Sequence, residues 1–426
     1  MSNNVFNNHP LIQNSNQYFL EKKYVSINSE DRNISKYPHA GEFEIALPQE
    51  LLNIASCRLY SWSFPANYNV FSILNNNVKI SFKFTTLYNP GEIGIVDPLL
   101  EGIFAALYNY GDKEVIVDIE TGFYTPDQIV VELTNKFNNA ATRIIYEFLN
   151  DPANLPTYQT AKDLFVSYDR FNIVYNCVGQ KIWFGNTADK FTLTNESTLI
   201  TTQSTQDINH CLRSQKLPEW SNWGLPSFLG FTRCNAVSYS VDEYIKQYPI
   251  EASQNTALYQ GNVFPRFSYE SDNDGYWLLP TLEGANVYFL QAPFKINVMG
   301  PAYIYMDIEG MNCIDETAPW NLSEYTTTHT KTNGITNSSF AKIPVPTTPL
   351  SQWFDNDMGP YKFWNPPAER MAKLKIKIRY HNGMLVNFGH FPYSFMLEFN
   401  LLKPQQERIY SVVNAYDLNQ QKSIYT

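Results

Sequence analysis

Charge is scarce in this chain. Only 17% of its 426 residues are Asp, Glu, Lys or Arg, against roughly a quarter in ordinary globular proteins. The balance is acidic, with a net charge of −10 and a pI near 5.2. Coating nucleic acid requires clustered Lys and Arg to neutralise phosphates, so no nucleic-acid partner is expected. Cys57, Cys177, Cys211, Cys234 and Cys313 are odd in number, widely spaced and without a CxxC pair. Neither a zinc ribbon nor a disulfide scaffold is indicated. No run of 18 apolar residues occurs, and the opening MSNNVFNNHPLIQNS lacks a secretory apolar core. The expectation is a cytosolic chain without a transmembrane segment, its sequons at Asn33, Asn195, Asn321 and Asn337 unused. Gly-x-Ser-x-Gly, a Walker loop, a dinucleotide fingerprint and His-Glu-x-x-His are missing. With them go the reasons to propose an enzyme or a cofactor. No repeat of 20 to 50 residues is present, which argues against a propeller or solenoid.

Aromatics are abundant at 15%, with 29 Tyr and 28 Phe. They favour strands over helices and suit a surface packed against neighbours, although an AT-rich genome would bias the composition the same way. The stretch Tyr24–Phe64 reads as three half-buried strands. Val25 and Ile27 share a face, SEDRN makes a polar turn, and Phe43, Ile45 and Leu47 alternate with Glu42 and Glu44. A third run, Ile54 to Phe64, stops at Pro65. Val78, Ile80, Phe82 and Phe84 mark a fourth strand, and residues 88–112 a long excursion loop. Val115, Val117 and Ile119 form a strand broken by Gly122. Thr125 then stands at an N-cap, with Pro126 at the first helical position and Gln128 completing a capping box. Ile129, Leu133 and Phe137 give this helix, about 125–138, one apolar stripe ended by Asn138 and Asn139.

Short strands follow at FNIVYN, KIWFG, KFTLTN and LPSFLGF, with residues 240–285 irregular. The last third holds ANVYFL, PAYIYMDI, SFAKIPV, RMAKLKIKIRY and FPYSFMLEFNLL. Asn382-Gly383 predicts a tight hairpin joining the final two. About fourteen strands and one short helix predict a mainly β protein. The expected form is an antiparallel β-sandwich of jelly-roll type, as two sandwiches or one with a large insertion. The expected parts are an N-terminal arm at 1–20, a first β region with the inserted helix at 21–235, a second at 236–403 and a C-terminal tail at 404–426.

Three blocks carry a family resemblance. The first is Ser29-x-Asp31-Arg32-Asn33, Tyr37-Pro38, then Phe43-x-Ile45-x-Leu47-Pro48. The second is Gly122-x-Tyr124-Thr125, the capped helix, paired strands and Leu229-Gly230-Phe231. The third is Arg370-x-x-Lys373-Leu374-x-Ile376-x-Ile378, Asn382-Gly383 and Ser394-Phe395-x-Leu397-Glu398-Phe399. Together, over roughly residues 24–402, they resemble minor capsid proteins of large icosahedral double-stranded DNA viruses. The resemblance implies a jelly-roll virion protein that supports or cements the major capsid protein lattice. It implies partners in the major capsid protein and other minor capsid proteins, in an oligomeric capsid assembled in the host cytoplasm. Penton (vertex) proteins of the same viruses begin similarly and are the alternative. A carbohydrate-binding jelly roll using Trp220, Trp223 and Trp353 is another.

Chemical sites are few. Glu270, Asp272, Asp274 and Gly275 approximate a calcium loop, but Thr281 stands where the bidentate acid belongs. His210 and Cys211 are adjacent and point apart on a strand, so with Cys234 they make a poor metal set. Asp355 and Asp357 would be the carboxylates of a sugar-active enzyme, yet they read as a solvated loop. The one charge cluster is Lys373, Lys375, Lys377 and Arg379, which alternation places outward on one strand. It is either a docking strip for an acidic partner or a face guarded against edge pairing.

Overall fold

The computed structural model describes residues 18–65, 69–73, 75, 77–85, 97–111, 113–197, 224–268, 274–281, 285–316, 337–345, 352–355, 359–381, 383 and 385–404. In chain order its strands begin with β1 (Tyr18–Asn28), β2 (Glu42–Pro65), β3 (Lys79–Phe84), β4 (Val115–Asp118), β5 (Phe171–Asn176), β6 (Lys181–Asn186) and β7 (Phe191–Leu193). Next come β8 (Ala236–Val237), β9 (Tyr239–Ser240), β10 (Thr256–Tyr259), β11 (Asn262–Ser268), β12 (Asp274–Tyr276) and β13 (Tyr288–Gln291). The last are β14 (Tyr303–Ile308), β15 (Ile314–Glu316), β16 (Asn337–Ser339), β17 (Ala341–Pro344), β18 (Gln352–Asp355), β19 (Lys362–Arg379) and β20 (Ser394–Pro404). The main helices are α1 (Pro98–Tyr110), α2 (Pro126–Asn150) and α3 (Leu155–Leu164). Among the described residues every strand pairing is antiparallel, and the protein is mainly β.

The described residues fall into two compact units, cut differently from the expected 21–235 and 236–403. One gathers those up to Pro65, 301–316 and from Asn337 on; the other is Asn69–Gly300. The reason is that the first and last strands pair: β1 lies against β20 in register from Tyr18–Pro404 to Asn28–Ser394. The expected 1–20 arm therefore ends inside β1, and residues 1–17 and 405–426 lie outside the described residues.

The first unit holds a seven-stranded sheet in the order β1-β20-β2-β19-β14-β17, with β18 also on β2, and the short β15-β16 pair. Its alternating inner residues meet in one core, among them Val25, Ile27, Phe43, Leu59, Phe64, Ile376, Ile378, Leu397 and Phe399. The two runs 43–47 and 54–64 are a single strand, not two. Phe43 and Phe64 both pack on Tyr393, at ring-centroid distances of 6.3 and 4.9 Å. Twenty-one extended residues would hold them about 70 Å apart, so β2 bends sharply between them. It does so where Asn53 takes a left-handed conformation (φ 51) and the registers with β19 and β20 slip. The sheet thus folds over its own core.

SEDRN fixes the entry to this bend. Ser29 is buried and trades bonds with Tyr393, its N–H donating to the Tyr393 carbonyl and its Oγ accepting from the Tyr393 N–H, each at 2.9 Å. Arg32 donates to the carbonyls of Ser29, Tyr37 and Pro38 at 2.6, 3.0 and 3.2 Å. The motif is a staple between the two ends of the sheet. The expected final hairpin is corrected. A turn at Gly383 (φ 85) does reverse the chain, bridging Arg379 to Leu385, while Asn382 lies outside the described residues. The returning strand nevertheless pairs with β1 and β2, because β2 lies between β19 and β20.

In the second unit, the four-stranded sheets β4-β3-β7-β8 and β5-β6-β13-β9 share a core with α2. Phe137 of α2 stacks on Phe82 of β3 at 4.7 Å and meets Phe171 of β5 and Phe184 of β6 at 5.2 and 5.6 Å. Ile129, Leu133 and Phe137 are fully buried, and the Thr125–Gln128 capping box is formed as expected. The helix does not stop at Asn138. Ala141, Ile145 and Leu149 continue its buried stripe to Asn150, and Asn138 turns its amide onto β5. Its Nδ2 donates to the Phe171 carbonyl, and its Oδ1 accepts from the Phe171 N–H, both at 2.9 Å. Thr134 Oγ1 accepts from Ile173 N at 3.1 Å, and Thr142 Oγ1 from Tyr168 N at 2.9 Å. A polar row at i, i+4 and i+8 thereby closes the free edge of β5.

Four further expectations fail here. One short helix becomes six among the described residues. The excursion loop contains α1, capped by Asp97, whose carboxylate accepts from Leu99 N at 2.9 Å. Gly102 lets α1 approach α3, since a Cβ there would lie 2.4 Å from that of Ala161. Residues 240–285 are not irregular but hold two short helices and the β10-β11-β12 sheet, and LPSFLGF opens in a helical turn at Gly224–Phe228.

Candidate interaction surfaces

Lys373, Lys375 and Lys377 point out from β19 while Leu374, Ile376 and Ile378 are buried, as alternation requires. Their strand is not at an edge, since β19 has β2 on one side and β14 on the other. The face is therefore not a guard against edge pairing. On β2 the facing positions carry acids. Lys373 Nζ lies 3.1 Å from Glu44, Lys375 Nζ 4.0 Å from Glu42, and Arg370 pairs with Glu50. The hydrogen bond from Lys373 holds the Glu44 carboxyl below its ordinary value. The basic strip is thus half of a zwitterionic ladder, exposed and screened by solvent.

Arg379 does not belong to that strip, which corrects the expectation for it. It is buried, and its guanidinium forks onto Asp307 of β14 at 2.6 and 3.1 Å. It also pairs with Glu316 of β15, to which His381 Nδ1 lies at 3.2 Å. Burial alone would raise the Glu316 carboxyl, but the bonds and charge of Arg379 outweigh it and leave Glu316 below its ordinary value. The cluster ties β14, β15 and β19 together. Alternation misplaced Arg379 because the β15-β16 pair, which brings Glu316 and the Ser338 carbonyl to its guanidinium, covers what would otherwise be its solvent face.

A second charged row crosses the outer face of β1, β20 and β2. Glu398 is wholly buried beneath Arg58 at 2.7 Å, Lys22 at 3.3 Å and the hydroxyl of Tyr361, which donates at 3.2 Å. Burial pushes the Glu398 carboxyl up, and the bonds from Arg58 and Lys22 bring it below its ordinary value. Rings continue the row. Arg58 lies over Tyr361 at 4.7 Å and Tyr60 at 5.7 Å, Tyr24 meets Tyr60 at 5.0 Å, and Tyr361 meets the exposed Phe363 at 5.6 Å. Tyr and Arg held by a buried partner are the residue types that anchor protein interfaces. Sequence reading passed over this row because its members come from four separate stretches.

In the second unit an open groove of about 500 Å³ is lined by Lys190, Tyr239, Glu243 and Lys246. Lys190 and Glu243 face each other at 2.8 Å, so much of its charge cancels. Of the weaker candidates, His210, Cys211, Glu270, Asp272, Asp357, Trp220 and Trp223 lie outside the described residues, as do the side chains of Asp274, Trp353 and Asp355. Cys234 is exposed. Among the described residues no cluster of metal-ligating side chains occurs, and no helix is long and apolar enough to cross a membrane.

No family model and no curated protein matches the chain. Among solved structures it is similar to the mavirus penton protein, at 7% identity and a TM-score of 0.34, over 90% of this chain and 99% of that one. It is also similar to a chain of the Sputnik virophage, at 10% identity and a TM-score of 0.36, over 89% of this chain and 98% of that one. Both likenesses are distant and run along nearly the whole length.

Proposed function

We propose that this protein is a non-enzymatic structural component of a viral capsid, a minor capsid protein that supports the major capsid protein lattice by protein–protein contacts. One observation carries the reading. The opening and closing blocks of the sequence resemblance are the parts that the fold joins, β1 to β20 in register and SEDRN to Tyr393. Such a body is held by its core and presents ladders and aromatic rows on its outer faces for neighbours. Its partners are then the major capsid protein and other minor capsid proteins, and its place is the virion, after assembly in the host cytoplasm. The test is to purify intact particles and measure this chain against the major capsid protein. A fixed ratio well below one is expected; absence from washed particles would overturn the reading.

A further inference from the structure

Strand β1 leaves one whole side open. It pairs with β20 along all eleven residues, and among the described residues no backbone bond reaches its other side. On an antiparallel edge every second residue turns both N–H and C=O outward, so β1 offers a ready template for another strand. Phe19, Leu20 and Tyr24 beside it are 47%, 38% and 47% exposed. Of the three charges on β1, Glu21 and Lys22 are engaged on the sheet itself, with Lys403 and with Glu398 at 3.3 Å, and only Lys23 is left to guard the edge.

Tyr18 faces Pro404, so residues 1–17 and 405–426 leave the sheet at the same corner. In the second of these stretches Ile409, Tyr410, Val412, Val413 and Tyr416 are β-branched or aromatic, the composition that suits strands. We propose that residues 405–426 of a second copy of this chain add to the open side of β1 as an antiparallel strand. The chain's own copy is badly placed to do so. After reversing at Pro404 it would run opposite to β20, hence parallel to β1, and it would have to cross β1. A parallel pair is slightly less stable per residue than an antiparallel one, and every pairing among the described strands is antiparallel. A second copy approaches freely from the far side, and mutual exchange closes a twofold pair or a ring. The inference goes beyond the capsid reading, since it would hold for any homo-oligomer.

The experiment mixes isotopically heavy chain lacking 405–426 with intact light chain and follows hydrogen exchange in the heavy peptides covering 18–28. The outward amides of the heavy β1 should slow by roughly tenfold or more in the mixture. Val412→Pro in the light chain removes a donor and should abolish the effect. Light scattering should show intact chain as an oligomer and the truncated chain alone as a monomer. Heavy β1 exchanging as fast in the mixture as alone would overturn the proposal. So would a protected β1 in an intact chain that is monomeric, which would assign the edge to its own chain, or protection that survives truncation of every chain present, which would assign it to residues 1–17. A chain that exchanges strands yet is missing from particles would overturn the capsid reading alone.

Discussion

Single residues in this protein are judged by what covers them. Arg379 and Lys375 are two strand steps apart in type but opposite in consequence. Replacing Arg379 with Met leaves Asp307 and Glu316 facing each other without their cation, so a loss of about 3–5 kcal/mol is expected by chemical denaturation. Lys375→Gln removes one exposed pair and should cost under about 1 kcal/mol. Equal effects would show that the buried cluster is not held as described. It follows that docking by the strip is tested with Lys373→Gln, Lys375→Gln and Lys377→Gln together, keeping Arg379. The melt should be unchanged and incorporation into particles reduced; normal incorporation would leave the ladder as a solvated face. Acid adds a second residue-scale test. Glu316 and Glu398 are held below the ordinary carboxyl value of 4.5, so the unfolded chain binds more protons than the folded one as pH falls. Their contribution is whole above about pH 4.5 and is lost as pH drops through the lower folded-state values. Glu398→Gln should flatten the fall in melting temperature across that range. A slope identical to that of the original chain would count against a charged Glu398.

At the scale of elements, α2 shows how much a local signal can and cannot say. Its start was legible, because Thr125 and Gln128 satisfy each other's N–H groups and Pro126 has none to satisfy, all close in sequence. The same Ser240-x-x-Glu243 signature caps the helix at Val241–Gln247 in a stretch read as irregular. The end of α2 was not legible, because Asn138 ends a helix only when its amide has nothing better to bond, and the free edge of β5 provides it. Leu133→Asp, which deletes packing and buries a charge, should destabilise the second unit by several kcal/mol. Asn138→Ala leaves the Phe171 N–H and carbonyl unpaired and should cost about 1–3 kcal/mol. A melt unchanged within a degree or two would remove Leu133 from the core. Faster exchange at Phe171 in the Asn138→Ala chain, with the rest of α2 unaffected, is the matching local readout.

As a whole molecule, the described residues form one unit contiguous in sequence and a second whose segments lie before and after it in the chain. All strands and helices of the second unit lie between Val70 and Gly300, whereas the first needs β1 to find β20 across more than 360 residues. A fragment of residues 69–300 should therefore fold alone, with a cooperative melt and protected α2 amides, whereas 1–68 alone should stay unfolded. Folding of the full chain should be slow in its first unit, since distant pairing must wait for long loop closure. A fragment 69–300 without a cooperative transition would show that the units are not independent.

The sequence by itself determined what depends on near neighbours. It marked the alternating faces of β1, β2 and β19, the capped start of α2 with its buried stripe, the antiparallel β class, and the three blocks by which the chain resembles capsid proteins. Only the tertiary structure decided which strands lie side by side, and with that the division into units, the sharp bend of β2 and the missing β19–β20 pair. It also decided which charges meet water. Lys373 and Arg379 obey the same alternation, yet one faces solvent and the other lies between Asp307 and Glu316. A strand's period assigns a side of the sheet, whereas burial on that side is set by whatever distant segment comes to cover it.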